Sequence, residues 1–323
     1  MNPVWIELGA LLVGFALLAK GADALVDGGA TLARRSGISP LVVGLTVVAW
    51  GTSLPEVVVS TLAAASGKPA SSLGNVLGSN VANIGLVLGT SALILPSTLL
   101  GRARLREMLW LLGSIGALWY LCADRALARP EAGALLGAFV FYNVLLLTRG
   151  SRGIVAEAVQ DAEEHRTKRP WTAVILGSAA IAIGAKFVIF GAEGLALRVG
   201  LPDRVIGLTI FALGTSLPEL AAGVTSALKG EHEIGYGNVV GSNVFNTLAV
   251  TGIAALVEPF QGPAAEPEIA ATLVSDFPVT LGFSVVLAAL PFLFKNTAGR
   301  LPGGLLVTGY LSYIAFLLVR ALV

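Results

Sequence analysis

One cysteine and two histidines in 323 residues leave little with which to build a disulfide or a soft-metal centre. Cys122 has no second thiol to pair with, and neither His165 nor His232 stands at metal-ligand spacing from another ligand. Zinc, copper and iron–sulfur chemistry are therefore excluded. Charge is equally scarce, at 13% Asp, Glu, Lys and Arg against roughly 25% in soluble domains. A net charge of +1 gives no pull toward nucleic acid. The first ten residues, MNPVWIELGA, lack the basic stretch of a cleavable signal peptide, so the first apolar segment is expected to stay in the mature chain.

What remains is apolar: 55% of residues are hydrophobic and the mean hydropathy is +0.82. The apolar residues fall into runs of about 17 to 25, the length that crosses a hydrocarbon core of about 30 Å. The chain reads as an all-α integral membrane protein, which rules out a water-soluble enzyme. Apolar length and the Gly, Pro and charge at segment ends predict ten transmembrane helices near 3–33, 40–66, 72–96, 104–122, 131–148, 171–198, 203–228, 234–257, 270–294 and 302–321. The charge-rich stretch from Arg149 to Pro170 reads as a linker between two halves of five helices. The expected organisation is 1–149, a cytoplasmic linker 150–170, and 171–323.

Ten spans put both termini on one side, and the basic residues choose which. With the termini outside, thirteen Lys and Arg face inward, Arg34, Arg102 and Lys229 among them. Six face outward and two lie within spans. That bias predicts a multi-pass protein of the cell membrane, plasma or inner, with N- and C-termini outside. Because each half has an odd number of spans, the second enters from the opposite face, so any likeness between halves is an inverted-topology repeat. The likeness is there at an offset of 163 residues. GLTVVAWGTSLPE from Gly44 matches GLTIFALGTSLPE from Gly207 at ten of thirteen positions, and GNVLGSNVAN from Gly74 matches GNVVGSNVFN from Gly237 at eight of ten.

Glu56 and Glu219 stand near the middle of their apolar runs, where a carboxylate costs about 2.5 kcal/mol or more and must have a partner or a purpose. On a helix Thr52, Ser53 and Glu56 share one face, and Ser79 with Asn83 and Ser242 with Asn246 are i, i+4 pairs. Pro55 and Pro218 each remove a backbone donor, freeing the carbonyls of Gly51 and Gly214. Broken helices with unpaired carbonyls are a usual cation-binding device in transporters. Carboxylates, hydroxyls, amides and carbonyls together suit a hard cation, Ca²⁺ or Na⁺ more than Mg²⁺, which dehydrates reluctantly. Two alternatives stay open at this point. The Ser hydroxyls can bond their own helix backbone, and Asn80 and Asn243 can bond between helices.

The double motif G-T-S-L-P-E followed by G-N-V-x-G-S-N-V-x-N resembles the paired alpha repeats of the cation/calcium antiporter superfamily, most closely its sodium/calcium exchanger family of the prokaryotic type. The resemblance spans residues 21–89 and 184–252. It implies a ten-helix inverted-repeat fold with Glu56 and Glu219 as central ion ligands. Thr52, Ser53, Ser79, Asn83, Thr215, Ser216, Ser242 and Asn246 would assist them, with the backbone of Ala49 and Ala212. It also implies that the first and sixth helices slide against a fixed core. Eukaryotic relatives often carry a large regulatory insert between the halves, and the short linker departs from them. In the potassium-dependent branch an Asp typically stands where this chain has Asn246. The expected function is therefore antiport of Na⁺ against Ca²⁺ by alternating access, with the two ions as substrates, the lipid bilayer as surroundings, no cofactor and no obligate protein partner. H⁺/Ca²⁺ antiport and a cation channel are the competing readings. A membrane-embedded hydrolase is disfavoured, since no His, Cys or Lys accompanies either glutamate.

Overall fold

A computed structural model describes residues 4–98, 102–149, 167–200, 212–262, 266–294, 297–298 and 300–322. The linker and the first part of the segment expected at 203–228 lie outside the described residues. Among the described residues the architecture is helical, apart from a two-residue ladder between β1 (Ser97–Thr98) and β2 (Thr297–Ala298) and an isolated bridge between Leu127 and Phe260. Its helices are α1 (Val4–Ser36), α2 (Pro40–Thr52), α3 (Leu54–Ala65), α4 (Pro69–Ile94), α5 (Arg102–Leu121) and α6 (Arg129–Arg149). They continue with α7 (Pro170–Arg198), α8 (Ala212–Thr215), α9 (Leu217–Leu228), α10 (His232–Val257), α11 (Glu266–Leu293) and α12 (Arg300–Leu322). His232, which falls between the spans expected at 203–228 and 234–257, opens α10.

Seven of these helices are long and apolar enough to cross a membrane, or eight if the bent pair α2–α3 is one span. The chain is a multi-pass membrane protein. Helix α5 falls outside that number because Arg102, Arg104, Arg106 and Glu107 crowd its first two turns, although Met108, Leu111, Ile115 and Leu118 bury one face of it.

The 163-residue offset extends to the helix ends. Gly37 and Gly200 close α1 and α7, and Gly67 and Gly230 close α3 and α9, all four with positive φ between 65° and 77°. A residue with a Cβ is strained there, which is why glycine recurs at both pairs of positions.

Helices α4 and α10 form the middle of the bundle. In their most apolar stretches, 67% and 89% of residues are buried within the protein, against 22–39% for the other five spanning helices. This explains the enrichment of Gly, Ser and Asn in α4 and α10, since polar side chains within a membrane must face protein. Both helices widen into a π-helical turn at the same motif position, Asn83–Leu88 and Asn246–Val250.

Helices α1 and α7, 33 and 29 residues long, exceed the roughly 20 residues a bilayer needs and must tilt or protrude. They pack antiparallel along a glycine seam. A Cβ on Gly14 would lie 2.8 Å from the Gly184 carbonyl, one on Gly21 2.8 Å from that of Gly177, and one on Gly28 2.9 Å from that of Pro170. No larger side chain fits without parting the backbones. Three ion pairs tie α1 to the α9–α10 turn: Lys229 Nζ with Asp27 at 2.8 Å and Asp23 at 3.2 Å, and Arg34 with Glu231 at 3.2 Å. Arg198 of α7 pairs with Glu7 at the other end of α1.

Candidate cation site

The two G-T-S-L-P-E copies fold as the same local device. Proline at the second helical position starts α3 and α9, and the serine before each leaves the helical path, Ser53 at φ −89°, ψ 11° and Ser216 at φ −89°, ψ 1°. The chain bends by 50° between α2 and α3. A continuous helix would have put Ser53 beside Glu56. The break sends it elsewhere: the Ser53 hydroxyl donates to Glu219 Oε1 at 2.7 Å and lies 2.9 Å from Ser242 Oγ. In turn Ser79 donates to Glu56 Oε1 at 3.4 Å and lies 3.5 Å from Thr215 Oγ1. Each glutamate is thus met by a hydroxyl from another helix.

Both glutamates, Ser53, Ser242, Asn83 and Asn246 are buried almost to the last atom. Thr52 donates to the Ala49 carbonyl at 3.3 Å and to Asn238 Oδ1 at 3.1 Å. The Ala49 carbonyl also accepts from Ser53 N–H at 3.1 Å, whereas in the second copy Ser216 N–H bonds Leu213 O at 3.1 Å, so the backbone at Ala212 is arranged differently from that at Ala49.

The paired asparagines bond between helices. Asn80 Nδ2 donates to Thr247 Oγ1 at 2.9 Å, Asn243 Nδ2 to the Asn80 carbonyl at 3.3 Å, Asn83 Nδ2 to Asn243 Oδ1 at 3.0 Å and Asn246 Nδ2 to Asn80 Oδ1 at 3.3 Å. These bonds use the amide nitrogens and leave oxygens over. Among the described residues Glu56 Oε2, Glu219 Oε2, Asn83 Oδ1, Asn246 Oδ1 and Ser216 Oγ are buried with no hydrogen-bond partner. Buried oxygen without a donor is costly, and five such atoms drawn from both motif copies form a donor set suited to a hard cation. No group of three or more His, Cys, Asp and Glu occurs among the described residues. The amide and hydroxyl oxygens therefore accompany only two carboxylates.

Asn238 was missed among the candidate residues. Its signal was present in the sequence, since it repeats Asn75 at the offset of 163 within the same matched block. In the structure Asn75 instead donates to Ser60 Oγ at 2.9 Å.

A cavity of about 270 Å³ reaches this region, walled in part by Gly74, Asn75, Gly78 and Ser79 of α4 and by Thr215. Where α2 meets α10 the packing is closed. A Cβ on Gly237 would lie 2.6 Å from the Leu41 carbonyl, and one on Gly44 2.6 Å from that of Ile234.

A buried oxygen-lined cluster at broken helices inside a membrane bundle defines a cation transporter. Comparison with known proteins agrees. Residues 6–148 and 169–319 match the family described as sodium/calcium exchanger protein. The chain is 40% identical over 257 residues to CaxA of Alkalimonas amylolytica, covering 77% of this chain and 80% of that one. It is 30% identical over 348 residues to the sodium/calcium exchanger MaX1 of Methanosarcina acetivorans, covering 96% and 97%. A solved structure of the sodium-calcium exchanger NCX_Mj superposes with a TM-score of 0.81 at 30% identity, covering 97% of this chain and 99% of that one. This chain belongs to the sodium/calcium exchanger family. It is a cation/Ca²⁺ antiporter and not an enzyme.

Proposed function

We propose that the chain moves Na⁺ inward down its gradient to drive Ca²⁺ outward, with both ions competing for one site between the two motif copies. The carrying observation is the convergence of unpartnered buried oxygens from both copies, Glu56 Oε2 and Glu219 Oε2 foremost. Glu56, Glu219, Thr52, Ser53, Ser79, Asn83, Thr215, Ser216, Ser242 and Asn246 supply side-chain oxygen to the ions, with the backbone of Ala49 and Ala212. Charge arithmetic supports exclusive occupancy. Two ionised glutamates carry −2, which one Ca²⁺ or two Na⁺ neutralise. A third Na⁺, which the family resemblance implies, makes the exchange electrogenic. Coupling follows because a carrier with bare carboxylates cannot cheaply pass an apolar gate.

The architecture that serves this is ten spans in two inverted repeats of five, 1–149 and 171–323, with the linker 150–170 on the cytoplasmic face and both termini outside. In that topology the tight Gly44–Gly237 packing lies toward the cytoplasm and the cavity beside Ser79 toward the outside. Na⁺ loading is preferred over H⁺ loading because hydroxyls and amide oxygens outnumber carboxylates in the cluster and, among the described residues, no His stands within it.

The test is Ca²⁺ flux in proteoliposomes with a Na⁺ gradient and a pH gradient imposed separately. Ca²⁺ accumulation driven by Na⁺ and not by pH is expected. Accumulation driven by pH alone assigns H⁺ as the coupling ion, and Ca²⁺ current that persists without any counter-ion marks a channel.

A further inference from the structure

The sequence repeat lets each motif copy be compared with the other at the offset of 163, and the copies part at two glycines. On α10, Gly237 and Gly241 are pressed against α2: a Cβ on Gly237 would lie 2.6 Å from the Leu41 carbonyl, and one on Gly241 2.5 Å from that of Leu45. Their counterparts on α4 are Gly74 and Gly78. There an added Cβ meets nothing among the described residues within 4 Å, and both positions line the cavity beside Ser79. Other repeated glycines, Gly51 with Gly214 and Gly89 with Gly252, are tightly covered in both copies.

The hydrogen bonds differ in the same sense. Thr52 donates to Asn238 Oδ1 at 3.1 Å and so ties α2 to α10. The matching pair, Thr215 and Asn75, lines the same cavity without a bond between them, and Asn75 Nδ2 donates to Ser60 Oγ at 2.9 Å. Gly223 stands where the second copy would match Ser60, so that copy offers Asn238 no equivalent hydroxyl. Glycine inside a helix costs stability relative to alanine, and at Gly74 and Gly78 no close packing among the described residues offsets that cost.

We propose that Gly74, Asn75 and Gly78 form the seat of the outer gate, as positioning residues for the opposite-facing state of the exchange cycle. When the protein turns to the cytoplasm, α8, which ends at Thr215, settles onto this face as α2, which ends at Thr52, rests on Gly237 and Gly241 here. Asn75 then leaves Ser60, and its Oδ1 accepts from the Thr215 hydroxyl. The inference rests on the alternating-access reading above and adds three residues outside the ion-ligand set. It gives the two glycines a use that the open arrangement does not.

The test measures isotopic Ca²⁺/Ca²⁺ exchange in proteoliposomes, which does not depend on whether Na⁺ or H⁺ is the coupling ion, together with Ca²⁺ binding and melting temperature of the purified protein. Gly74→Ala and Gly78→Ala are each expected to melt no lower than the parent and to bind Ca²⁺ within about twofold of it, because the added methyl lies in open space while the cavity is open. Saturated exchange should nonetheless fall about tenfold or more, since the same methyl is overpacked when the gate closes. Ser60→Ala removes the bond that holds Asn75 in the open arrangement, so added to Gly74→Ala it should raise exchange about threefold. A Gly74→Ala protein that exchanges at the parental rate overturns the seat. So does joint loss of exchange and Ca²⁺ binding in both alanine variants, which would mean that the methyl harms the site and not the closure. If Ser60→Ala recovers no exchange, the change of partners at Asn75 is overturned. Glu56→Gln run in parallel tests the underlying site: if it binds and exchanges like the parent, the ligand assignment has failed, whatever the glycine variants do.

Discussion

Ser53 in the first G-T-S-L-P-E copy donates its hydroxyl proton at 2.7 Å to Glu219 in the second, 166 residues away. The carboxylate of one copy is thus oriented by the other, and the site exists only when both are in place. Glu219→Gln and Glu56→Gln are each expected to abolish Ca²⁺ uptake, because an amide keeps the shape and halves the charge. Ser53→Ala should be milder. It removes a hydrogen bond to a charged group, worth about 1.5 kcal/mol or more, so half-saturating Ca²⁺ should rise roughly tenfold with transport retained. Uptake titrations on the three purified variants check this. Parental flux in either glutamine variant removes that glutamate from the site.

Acid should inhibit exchange. A divalent ion is balanced only by ionised carboxylates, so protons and Ca²⁺ compete for the same oxygens. Lowering pH raises half-saturating Ca²⁺, and raising Ca²⁺ at fixed low pH restores the rate. Flux measured over a grid of pH and Ca²⁺ shows whether the curves converge at saturation. Inhibition that no Ca²⁺ concentration relieves would place the protons elsewhere.

The repeat was legible in the sequence because it is written in residues that low complexity does not supply, a Pro, a Glu and two Asn at one offset. The structure extends it to Gly67 and Gly230, which end α3 and α9 with φ of 71° and 72°. Partners across helices were not legible. Spacing along one helix placed Thr52, Ser53 and Glu56 on one face, but the bend at Ser53 breaks that face, and Ser53 finds Glu219 instead. The open question over the asparagines was decided by packing: Asn80 and Asn243 lock α4 to α10. No periodicity within either helix encodes that registration. The pairing of Asp23 and Asp27 was equally out of reach, since their partner, Lys229, lies about 200 residues away.

The glycine seam between α1 and α7 predicts that the two helices move as one. Backbones that meet at Gly21 and Gly177 hold α1 tightly to α7, whereas α1 meets the core through Leu25, Ala30 and Ala33, packed with Val43, Val48 and Ala222, and through the polar set of Lys229 with Asp23 and Asp27. Partly exposed ion pairs of this kind are individually weak and can break and re-form. Cys122 is buried and must first be replaced so that introduced thiols react alone. Bridging an Asp27→Cys, Lys229→Cys pair with a bifunctional reagent should stop Ca²⁺ flux, and reductive release should restore it. Flux that survives complete bridging would show that α1 does not slide past α9.

Potassium should have no part in the exchange, and Asn246 is the position that decides it. Its Nδ2 donates to Asn80 Oδ1 at 3.3 Å, while Asn80 commits its own Nδ2 to Thr247 Oγ1 at 2.9 Å. Asn246→Asp would set a carboxylate oxygen against the Asn80 oxygen, and Asn80 could turn its amide over only by giving up Thr247. The site charge would become −3, one more than a Ca²⁺ neutralises, and the excess would need a proton or a monovalent co-ion. Exchange by the native chain is therefore expected to be indifferent to K⁺. Asn246→Asp should lower flux at neutral pH, with partial recovery on mild acidification or when K⁺ is supplied. The measurement is Na⁺-driven Ca²⁺ flux in proteoliposomes with K⁺ replaced by choline. A native protein that stalls without K⁺ would show that the neutral amide at Asn246 does not set the ion requirement, and an Asn246→Asp variant that matches the parent in choline would show that the added charge is compensated within the protein.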